Sequence, residues 1–283
     1  MGAEKTTIDG EMLRAGVRFS YDVENAETNN AIDGFSIQNC VAFEDPFWGT
    51  TNRGGAIFIG DQSEEIVGIA QISNCVMRNN SATGNWSQGG AVYIGAFNNC
   101  TITNCQFLYN TCLNGMGGAI RGSYGTNSTI SNCTFTENSA QYGGAMSFDS
   151  ADMEITNCIV TNNSAIDIGG GLYCRYASPY ISDTSICGNS PDQIYLDSSI
   201  IHDEGGNTIA DSCKYTAGAC CSNDICVDGE EELCNTYGGQ WLGFGSTCAE
   251  NPCPTSCLGD ITGDGVVDVS DLLVVIGVWG TCP

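Results

Sequence analysis

Near the C-terminus, oxygen-bearing side chains recur at fixed intervals. They are those of Asp260, Thr262, Asp264, Asp268 and Asp271. These residues occupy positions 1, 3, 5, 9 and 12 of a twelve-residue loop, with Gly265 at position 6 and the backbone carbonyl of Val266 at position 7. Ca²⁺ takes six to eight oxygen ligands, and a loop of this spacing needs a sharp turn at position 6. The spacing therefore predicts a calcium site rather than a merely acidic turn.

The loop and the apolar run after it, Leu272 to Val278, resemble one repeat of a type I dockerin, which is half of an EF-hand. The resemblance implies an exiting helix and a cohesin-like receptor as partner. Two features depart from it, because Thr262 stands where Asn or Asp is usual and a dockerin carries two such repeats. Cys257 and Cys282 flank the segment, and we expect a disulfide between them to hold the loop near its calcium-bound shape.

A cysteine-rich stretch lies just before this segment. Between Ala219 and Pro254 the cysteines are Cys220, Cys221, Cys226, Cys234, Cys248 and Cys253. So small a core is normally held together by covalent bridges, so we expect three disulfides, whose connectivity the sequence does not choose. The stretch resembles a short module near the C-termini of secreted proteins from planctomycetes and related bacteria, and that resemblance implies no defined activity.

The rest of the chain is organised by an internal repeat. One marker is Asn-Cys, with its cysteines at Cys40, Cys75, Cys105, Cys133 and Cys158. The other is a glycine pair, beginning at Gly54, Gly89, Gly117, Gly143 and Gly169. A degenerate further copy runs from Ile181 to Ser190 and carries Thr184 in the Cys position. Each repeat contains three short alternating runs bounded by turn residues, which predicts three strands that stack on their copies in the next repeat.

These repeat units resemble the right-handed parallel β-helix repeats of secreted bacterial proteins, of the polymorphic outer-membrane adhesin and pectate-lyase-like kinds. We therefore predict an all-β fold: a right-handed parallel β-helix of about six to seven coils over residues 1–213, then a disulfide-rich module over 219–254 and a calcium segment over 257–283. We also expect further N-terminal coils and a targeting segment to precede the sequence given, since no signal peptide is visible.

Stacking predicts what the marker residues do. Four asparagines, Asn74, Asn104, Asn132 and Asn157, should share one corner and tolerate a left-handed backbone there. The glycine pairs should mark a second corner where φ is positive. The five marker cysteines should stack as buried thiols, because a bridge between stacked neighbours would be strained and one column offers no tetrahedral metal site. Disulfides are expected from Cys213 onward.

The strand after each glycine pair carries the predicted binding face. Its first residue should point inward and its second outward, which places Phe58, Tyr93, Arg121, Ser147 and Tyr173 on the solvent side. A row of exposed rings beside small residues could stack on sugar rings, so Phe58, Tyr93, Arg121 and Tyr173 are the predicted glycan-binding residues. The alternative is that Tyr and Phe stand there as good strand formers on a half-wet surface.

Charge and composition limit the partners and the cellular location that we expect for this chain. The chain has 8 Lys and Arg against 33 Asp and Glu, a formal charge of −25, so nucleic acid and anionic membranes are not expected partners. Eighteen cysteines with one histidine indicate an oxidising, extracellular or cell-surface location. No apolar run is long enough to span a membrane.

Catalytic groups are sparse along the predicted coils. Arg121, Asp149 and Arg175 could be neighbours on the outward face, although a single charge cluster is more often a solvated surface than a site. His202 lies beyond the last clear repeat. We therefore predict a secreted or cell-surface, non-catalytic scaffold that contacts an extracellular polysaccharide or cell-surface glycan and is tethered through its calcium segment. The alternative is a carbohydrate-active enzyme, either a polysaccharide lyase or a glycoside hydrolase.

Overall fold

The computed structural model describes residues 6–19, 29–43, 52–60, 68–213, 217–222, 225–230 and 240–244. The chain divides into one compact unit over Glu4–Cys213 and a second formed by Met1–Ala3 with Lys214–Pro283. The predicted calcium ligands, Cys257 and Cys282 lie outside the described residues. The part of the chain that the structure describes contains no helix with the length and hydropathy of a membrane span.

The described residues form strands throughout, as the sequence predicts. In chain order the strands are β1 (Thr6–Asp9), β2 (Val17–Phe19), β3 (Asn29–Asp33), β4 (Phe35–Gln38), β5 (Val41–Ala42), β6 (Ile57–Ile59), β7 (Ile69–Ser73), β8 (Val76–Arg78), β9 (Ser81–Ala82), β10 (Ser87–Gln88), β11 (Val92–Ile94), β12 (Asn99–Thr103), β13 (Gln106–Leu108), β14 (Thr111–Met116), β15 (Ile120–Gly122), β16 (Asn127–Ser131), β17 (Thr134–Thr136), β18 (Ser139–Tyr142), β19 (Met146–Asp149), β20 (Asp152–Thr156), β21 (Ile159–Thr161), β22 (Ser164–Ile168), β23 (Leu172–Arg175), β24 (Tyr180–Ser182), β25 (Ser185–Cys187), β26 (Ile194–Asp197), β27 (His202–Asp203), β28 (Thr208–Ala210), β29 (Ala217–Ser222), β30 (Ile225–Glu230) and β31 (Gln240–Phe244).

Strands β1 to β28 make a parallel β-helix with four sheets around its axis. Sheet 1 contains β3, β7, β12, β16, β20, β24 and β27, and sheet 2 contains β1, β4, β8, β13, β17, β21, β25 and β28. Sheet 3 contains β5, β9, β14, β18 and β22 with β10 beside β14, and sheet 4 contains β2, β6, β11, β15, β19, β23 and β26. The sequence predicted three strands per coil. The fourth arises because a left-handed residue such as Asn79, with φ 55°, separates the second run into β8 and β9.

The predicted corners are confirmed. Asn74, Asn104, Asn132 and Asn157 all have φ between 50° and 55°. The first glycine of each pair likewise has positive φ, from 64° at Gly54 to 74° at Gly117. The second glycine is required for a different reason, since a Cβ on Gly90 would overlap the Gly118 carbonyl oxygen of the next coil. Small residues at this corner therefore let consecutive coils approach closely.

The interior is filled by apolar columns from the four sheets. Fully buried side chains include Ile57, Ile94 and Ile120 from sheet 4, and Phe107 stacks on Phe135 in sheet 2 with ring centroids 4.7 Å apart. Because every coil places the same kind of side chain at the same height, the core continues along the axis without interruption.

A ladder of buried asparagines runs through this core. Its members are Asn80, Asn110, Asn138, Asn163 and Asn189, and each is at most 5% exposed. The Asn110 side-chain amide and backbone N–H both donate to Oδ1 of Asn138, at 2.9 and 3.0 Å, and the pattern repeats from coil to coil. The last member, Asn189, donates to Oε1 of Gln193, whose own amide donates back to the Asn189 carbonyl. The ladder thus satisfies polar groups that burial would otherwise leave unpaired.

The cysteine column is largely as predicted, with one correction of register. Cys75, Cys105, Cys133 and Cys158 are buried and stay thiols. Cys40 is also a buried thiol, but it does not belong to this column. Gln38 pairs with Arg78, and the Cys40 backbone N–H donates to Oδ1 of Asn80. Cys40 therefore stands in the asparagine column, because the first coil reaches its Asn-Cys dipeptide one corner later than the others.

The thiols of the column carry a repeated hydrogen-bond pattern. The Cys133 sulfur donates to the Ser131 carbonyl at 3.1 Å and accepts the backbone N–H of Cys105 at 3.4 Å. Thr184 has the same role one coil after Cys158: its hydroxyl donates to the Ser182 carbonyl at 2.8 Å and accepts the Cys158 N–H at 3.2 Å. A thiol and a hydroxyl are thus interchangeable at this position, because each can donate and accept one bond.

One disulfide connects the last coils, so the prediction that the cysteines of the coils stay thiols is wrong for one of them, Cys187. Cys213 bonds to Cys187 of β25, with Cα atoms 5.0 Å apart. The strand partner of Cys187 is Ala210, so Cys213 lies three residues beyond the stacked position. The bridge therefore does not join stacked neighbours.

The described part of the second unit is a small antiparallel sheet. Strand β29 pairs with β30 on one side and β31 on the other. Cys220 and Cys221 in β29 are both disulfide-bonded. This agrees with covalent bridging of the cysteine-rich module, while its remaining predicted pairs stay a prediction.

We expect Asn138→Ala to destabilise the β-helix by at least about 3 kcal/mol, because it removes several buried hydrogen bonds and leaves buried donors of Asn110 unpaired. Urea unfolding followed by circular dichroism measures the change. The control is Asn132→Gly, which removes an exposed amide at a residue whose φ of 53° suits glycine. Equal loss of stability in both variants would show that the buried ladder has no special role.

Alkaline pH should also destabilise the coils through buried thiols. Burial raises the pKa of Cys112 from 9.0 to about 11, and burial raises the pKa of Cys100 and Cys174 as well. Above pH 9 the unfolded chain loses these protons while the folded chain keeps them. The free energy of unfolding therefore falls with rising pH, by up to about 1.4 kcal/mol per pH unit for each thiol.

The measurement is the urea unfolding of the parent and of Cys112→Ala at pH 8, 9, 10 and 11. The variant should show a shallower decline than the parent, because one titrating thiol is missing. Identical slopes in the two proteins would contradict the assignment. Below pH 9 the pH dependence of the two should coincide.

Candidate functional site

The predicted glycan-binding residues form one column on sheet 4. Register places Phe58 beside Tyr93, Tyr93 beside Arg121, and Arg121 beside Ser147 on successive strands. Ser147 is followed by Tyr173 and Tyr195. Residues preceding and following this column, such as Ile57 and Ile59, belong to the core cluster, and the aromatic column residues do not. The predicted alternation of inward and outward side chains is therefore confirmed.

The predicted exposure of this column is wrong. The exposed fractions are 9% for Phe58, 4% for Tyr93, 3% for Arg121, 0% for Ser147 and 6% for Tyr173. Neighbouring side chains lie over the rings. The guanidinium of Arg18 lies 4.3 Å from the Phe58 ring centroid, and Arg53 covers Tyr93 at 5.0 Å while donating to its hydroxyl at 3.1 Å. Strand alternation predicts the direction of a side chain but not what lies against it.

The rings and cations of the column also stabilise one another. Phe58 and Tyr93 stack with centroids 5.4 Å apart, and Tyr173 contacts Tyr142 at 5.6 Å and Tyr195 at 6.2 Å. Stacked aromatic pairs and cation–π contacts are favourable beyond the area that they bury. In this column the alternative interpretation, residues suited to a strand surface, describes Phe58, Tyr93 and Tyr173 better than a sugar-stacking role.

Beside the rings lies a charge cluster that the sequence had placed together. Arg121 donates from Nη2 to Oδ2 of Asp149 at 3.1 Å and from Nη1 to the Ser147 hydroxyl at 2.8 Å. Arg175 pairs with Asp149 in register, its Nε 3.8 Å from the same Oδ2. Side-chain exposure is 4% for Arg121 and 7% for Asp149 but 36% for Arg175. Only Arg175 therefore presents its charge to solvent.

The electrostatics of the cluster follow from this burial. Desolvation lowers the pKa of Arg121, and the ion pair with Asp149 opposes that effect. The Asp149 carboxylate raises the pKa of Arg175. Both guanidiniums therefore stay charged at neutral pH, so neither provides a proton acceptor. The cluster can bind an anion or orient a side chain.

Half of the cationic side chains of this acidic chain contact the same face. The chain has eight Lys and Arg, and Arg18, Arg53, Arg121 and Arg175 all contact the sheet 4 column or its charge cluster. Asp149 and Asp197 are the acidic residues on the described strands of this face. On these strands three arginines, Arg18, Arg121 and Arg175, thus stand against two carboxylates, in a chain of net charge −25.

Exposed rings lie at the corner where sheet 4 ends, a feature that the sequence interpretation missed. We name Phe97, Tyr124 and Tyr176 the aromatic corner; they are 50%, 52% and 59% exposed. Backbone hydrogen bonds stack this corner from coil to coil, from Phe97 N–H to the Tyr124 carbonyl and from Tyr176 N–H to the Asp197 carbonyl. Tyr176 also lies under the Arg175 guanidinium, 5.4 Å from its ring centroid. The aromatic corner and the charge cluster are thus contiguous.

The backbone at this corner is unusual for aromatic residues. Phe97 has φ 59° and Tyr176 has φ 52°, in the left-handed region that bulky residues rarely adopt. The Phe97 ring lies over the next coil, since a Cβ on Gly125 would lie 2.6 Å from its Cδ1. Glycine at position 125 therefore makes room for the ring. The rings occupy loops outside the repeat motif, so motif spacing could not have identified them.

The remaining candidate residues of the sequence lie apart from this face or outside the described residues. His202 stacks on Tyr180 at 4.4 Å on sheet 1, away from the charge cluster. Within these same residues no three His, Cys, Asp or Glu side chains are grouped to hold a metal ion. The predicted calcium ligands Asp260, Thr262, Asp264, Val266, Asp268 and Asp271 lie beyond the described ranges.

Comparison with known proteins agrees with this architecture. Residues 23–213, about two thirds of the chain, match the family described as the right handed beta helix region. No curated protein matches the chain, and no solved structure does. The family match covers strands β3 to β28 and ends just after the last strand of the parallel sheets. The chain therefore belongs to the right-handed β-helix family.

Proposed function

We propose that this protein is a non-catalytic β-helix scaffold that contacts an extracellular or cell-surface glycan through the aromatic corner. The observation that carries the proposal is the grouping of three exposed rings at one corner beside the charge cluster, two of them, Phe97 and Tyr176, at left-handed backbone positions. Holding a non-glycine residue there costs about 1–2 kcal/mol. About half of each residue is exposed, so burial offsets only part of that cost, and stacking of a ligand on the rings would account for the arrangement.

Most of the other left-handed positions of the coils are occupied by Asn, Asp, Ser or Gly, which adopt this backbone conformation at a lower cost in free energy. At the corner between sheets 2 and 3, the residues with φ near 55° are Asn39, Asn79, Tyr109, Glu137 and Asn162. Three of the five are asparagine, which tolerates this conformation well, and only one carries a ring. In the coils on either side of Tyr176, Ser150 and Ser198 occupy the corresponding turn position, each with φ 52°. Phe97 and Tyr176 therefore depart from what the turn requires, and the departure puts rings on the surface.

The spacing of the rings suits an extended ligand. Phe97 and Tyr176 are separated by three coils, which at the usual strand spacing is about 14 Å along the axis. The apolar faces of sugar rings stack on aromatic side chains, and Tyr adds a hydroxyl for hydrogen bonding. A row of rings along a rigid axis is therefore suited to several units of a polysaccharide.

The described side chains favour binding over catalysis. A glycoside hydrolase needs two carboxyl groups facing one bond, and a lyase needs a base with a suitable pKa. Next to the aromatic corner, Asp149 is engaged by two arginines, and both arginines are charged. We therefore expect no cleavage of pectin, alginate or sulfated glycans by the purified protein.

The C-terminal segment completes the proposal as a tether. The spacing of its oxygen ligands supports calcium binding, and its likeness to a dockerin repeat supports a cohesin-like receptor. The many cysteines support an extracellular or cell-surface location. These elements rest on the sequence alone.

Replacing Phe97, Tyr124 and Tyr176 together by Ala should abolish retention on a polysaccharide array, because the stacking surface is removed. The control is Tyr109→Ala, which removes a ring of similar exposure and the same backbone conformation at another corner. Circular dichroism should be unchanged in both. Retention of glycan by the triple variant at the parental level would refute the proposal.

A second pair of variants tests the orientation of the Phe97 ring. Gly125→Ala should weaken retention because its Cβ displaces that ring. Gly34→Ala introduces the same backbone strain with nothing within 4 Å of the added Cβ. The two variants should lose similar stability, and only the first should lose binding.

In the full chain, Asp260→Ala should eliminate calcium binding measured by calorimetry, because position 1 of the loop loses its ligand. Replacing Cys257 and Cys282 together by Ser should weaken binding, since the loop is no longer held near its calcium-bound shape. Asp203→Asn, on the last coil, is the charge control and should leave binding unchanged. If the parent binds no calcium at millimolar concentration, the calcium segment has been misinterpreted.

A further inference from the structure

We propose that Arg175 binds an anionic substituent, a carboxylate or a sulfate, on the glycan that stacks on the aromatic corner, with Asp149 and Arg121 as positioning residues. This inference rests on the proposed function and adds the chemical class of the ligand. It predicts that the protein distinguishes an acidic polysaccharide from its neutral derivative.

Arg175 has the position that such recognition requires. Its side chain is 36% exposed, at the edge of sheet 4 where the aromatic corner begins. Its guanidinium lies over the Tyr176 ring, so a sugar stacked on the neighbouring rings would bring its substituents close to that charge. Guanidinium presents a planar fork of donors that matches carboxylate and sulfate oxygens.

Asp149 and Arg121 hold Arg175 in place. Asp149 is 5% exposed and is fixed from the other side by Arg121, which is itself bound to the Ser147 hydroxyl. The Nε of Arg175 lies 3.8 Å from the same carboxylate oxygen, within ion-pair range but beyond a hydrogen bond. Because one carboxylate faces two guanidiniums, it cannot neutralise both. The exposed member of the trio keeps a positive charge for a ligand.

Unsatisfied donors give a second, independent indication. The buried Nε atoms of Arg121 and Arg175 both lack a hydrogen-bond partner. The Arg121 side chain is only 4% exposed, so its Nε is shielded from water. Buried donors without acceptors are rare and unfavourable. A small movement of Asp149 or Arg175 around a bound anion would let these donors find acceptors.

The remaining acidic residue on the strands of this face makes no direct ion pair with Arg175. Asp197 stands in register with Arg175 on the next strand, but the ion pairs of the described residues both involve Asp149. Oδ1 of Asp197 instead accepts a hydrogen bond from the Ser198 hydroxyl at 3.3 Å. In a chain of net charge −25, an anionic polymer is repelled overall, so preference for an acidic glycan requires a local site.

The test compares matched polysaccharides that differ only in charge. One pair is polygalacturonate and its fully methyl-esterified form, and the other is carrageenan and its desulfated form. The parent should retain at least one acidic member roughly tenfold to a hundredfold better than its neutral counterpart, as expected for a charge-assisted hydrogen bond. The pair that shows the preference identifies the anion as carboxylate or sulfate.

Arg175→Gln should remove that preference while keeping the weaker retention of the neutral form. The matched control is Arg78→Gln, which removes the same charge from an arginine on sheet 2 and should keep the preference. Arg175→Lys keeps the charge without the planar fork of donors, so this variant should keep only part of the preference for the acidic form. Asp149→Asn makes the protein less acidic. If overall charge controlled binding, this variant would bind anions more strongly. If Asp149 positions Arg175, the variant should show a weaker preference for the acidic polysaccharide.

The outcomes separate the two proposals. Equal retention of acidic and neutral members by the parent, or an unchanged preference in Arg175→Gln, overturns the anion site and leaves glycan contact standing. Absence of retention for every polysaccharide overturns the proposed function and the anion site together. Thermal unfolding of each variant accompanies the assay, and Arg175→Gln decides the result because its exposed side chain can be changed without opening the core.

Discussion

Every coil of this protein must satisfy its polar groups through the coils above and below it. The buried asparagine ladder shows this constraint most clearly. Each amide donates to the side chain of the next coil and to a carbonyl of the preceding coil, as Asn138 does to Asn163 and Phe107. A coil that slipped by one residue would leave buried donors without acceptors. The ladder therefore fixes the register of every sheet at once.

Register in turn decides what the surface presents. Since sheet 4 stacks in the same register as the ladder, Arg121, Ser147 and Tyr173 follow one another in a single outward column, and Asp149 faces Arg175. The same stacking places Phe97 and Tyr176 at one corner three coils apart. A chain of local contacts thus produces an extended surface in which rings and charges keep fixed spacings, as is usual for solenoid proteins.

The two outward features of sheet 4 differ in role because they differ in exposure. The central column is covered by Arg18, Arg53 and its own rings, and its interactions stabilise the face. The corner rings and Arg175 are exposed, and the corner holds aromatic residues in a backbone conformation that costs free energy. Burial explains the first group without a ligand. The second group has no such explanation within the described residues, which is why the proposed contact with a glycan lies there.

The sequence by itself determined the coils, the positive-φ corners at Asn74 and Gly54, the inward and outward alternation of sheet 4 and the thiol column from Cys75 to Cys158. These features depend on periodicity and on the intrinsic conformational preferences of Asn and Gly, which are local properties. Tertiary structure alone decided that Cys40 belongs to the asparagine column, that Cys187 bonds to Cys213, and that the rings of Phe58 and Tyr93 are covered while those of Phe97 and Tyr176 are exposed. Register and burial depend on which coil lies against which. Because the loops between the motifs differ in length, the spacing of the repeats does not predict either of them.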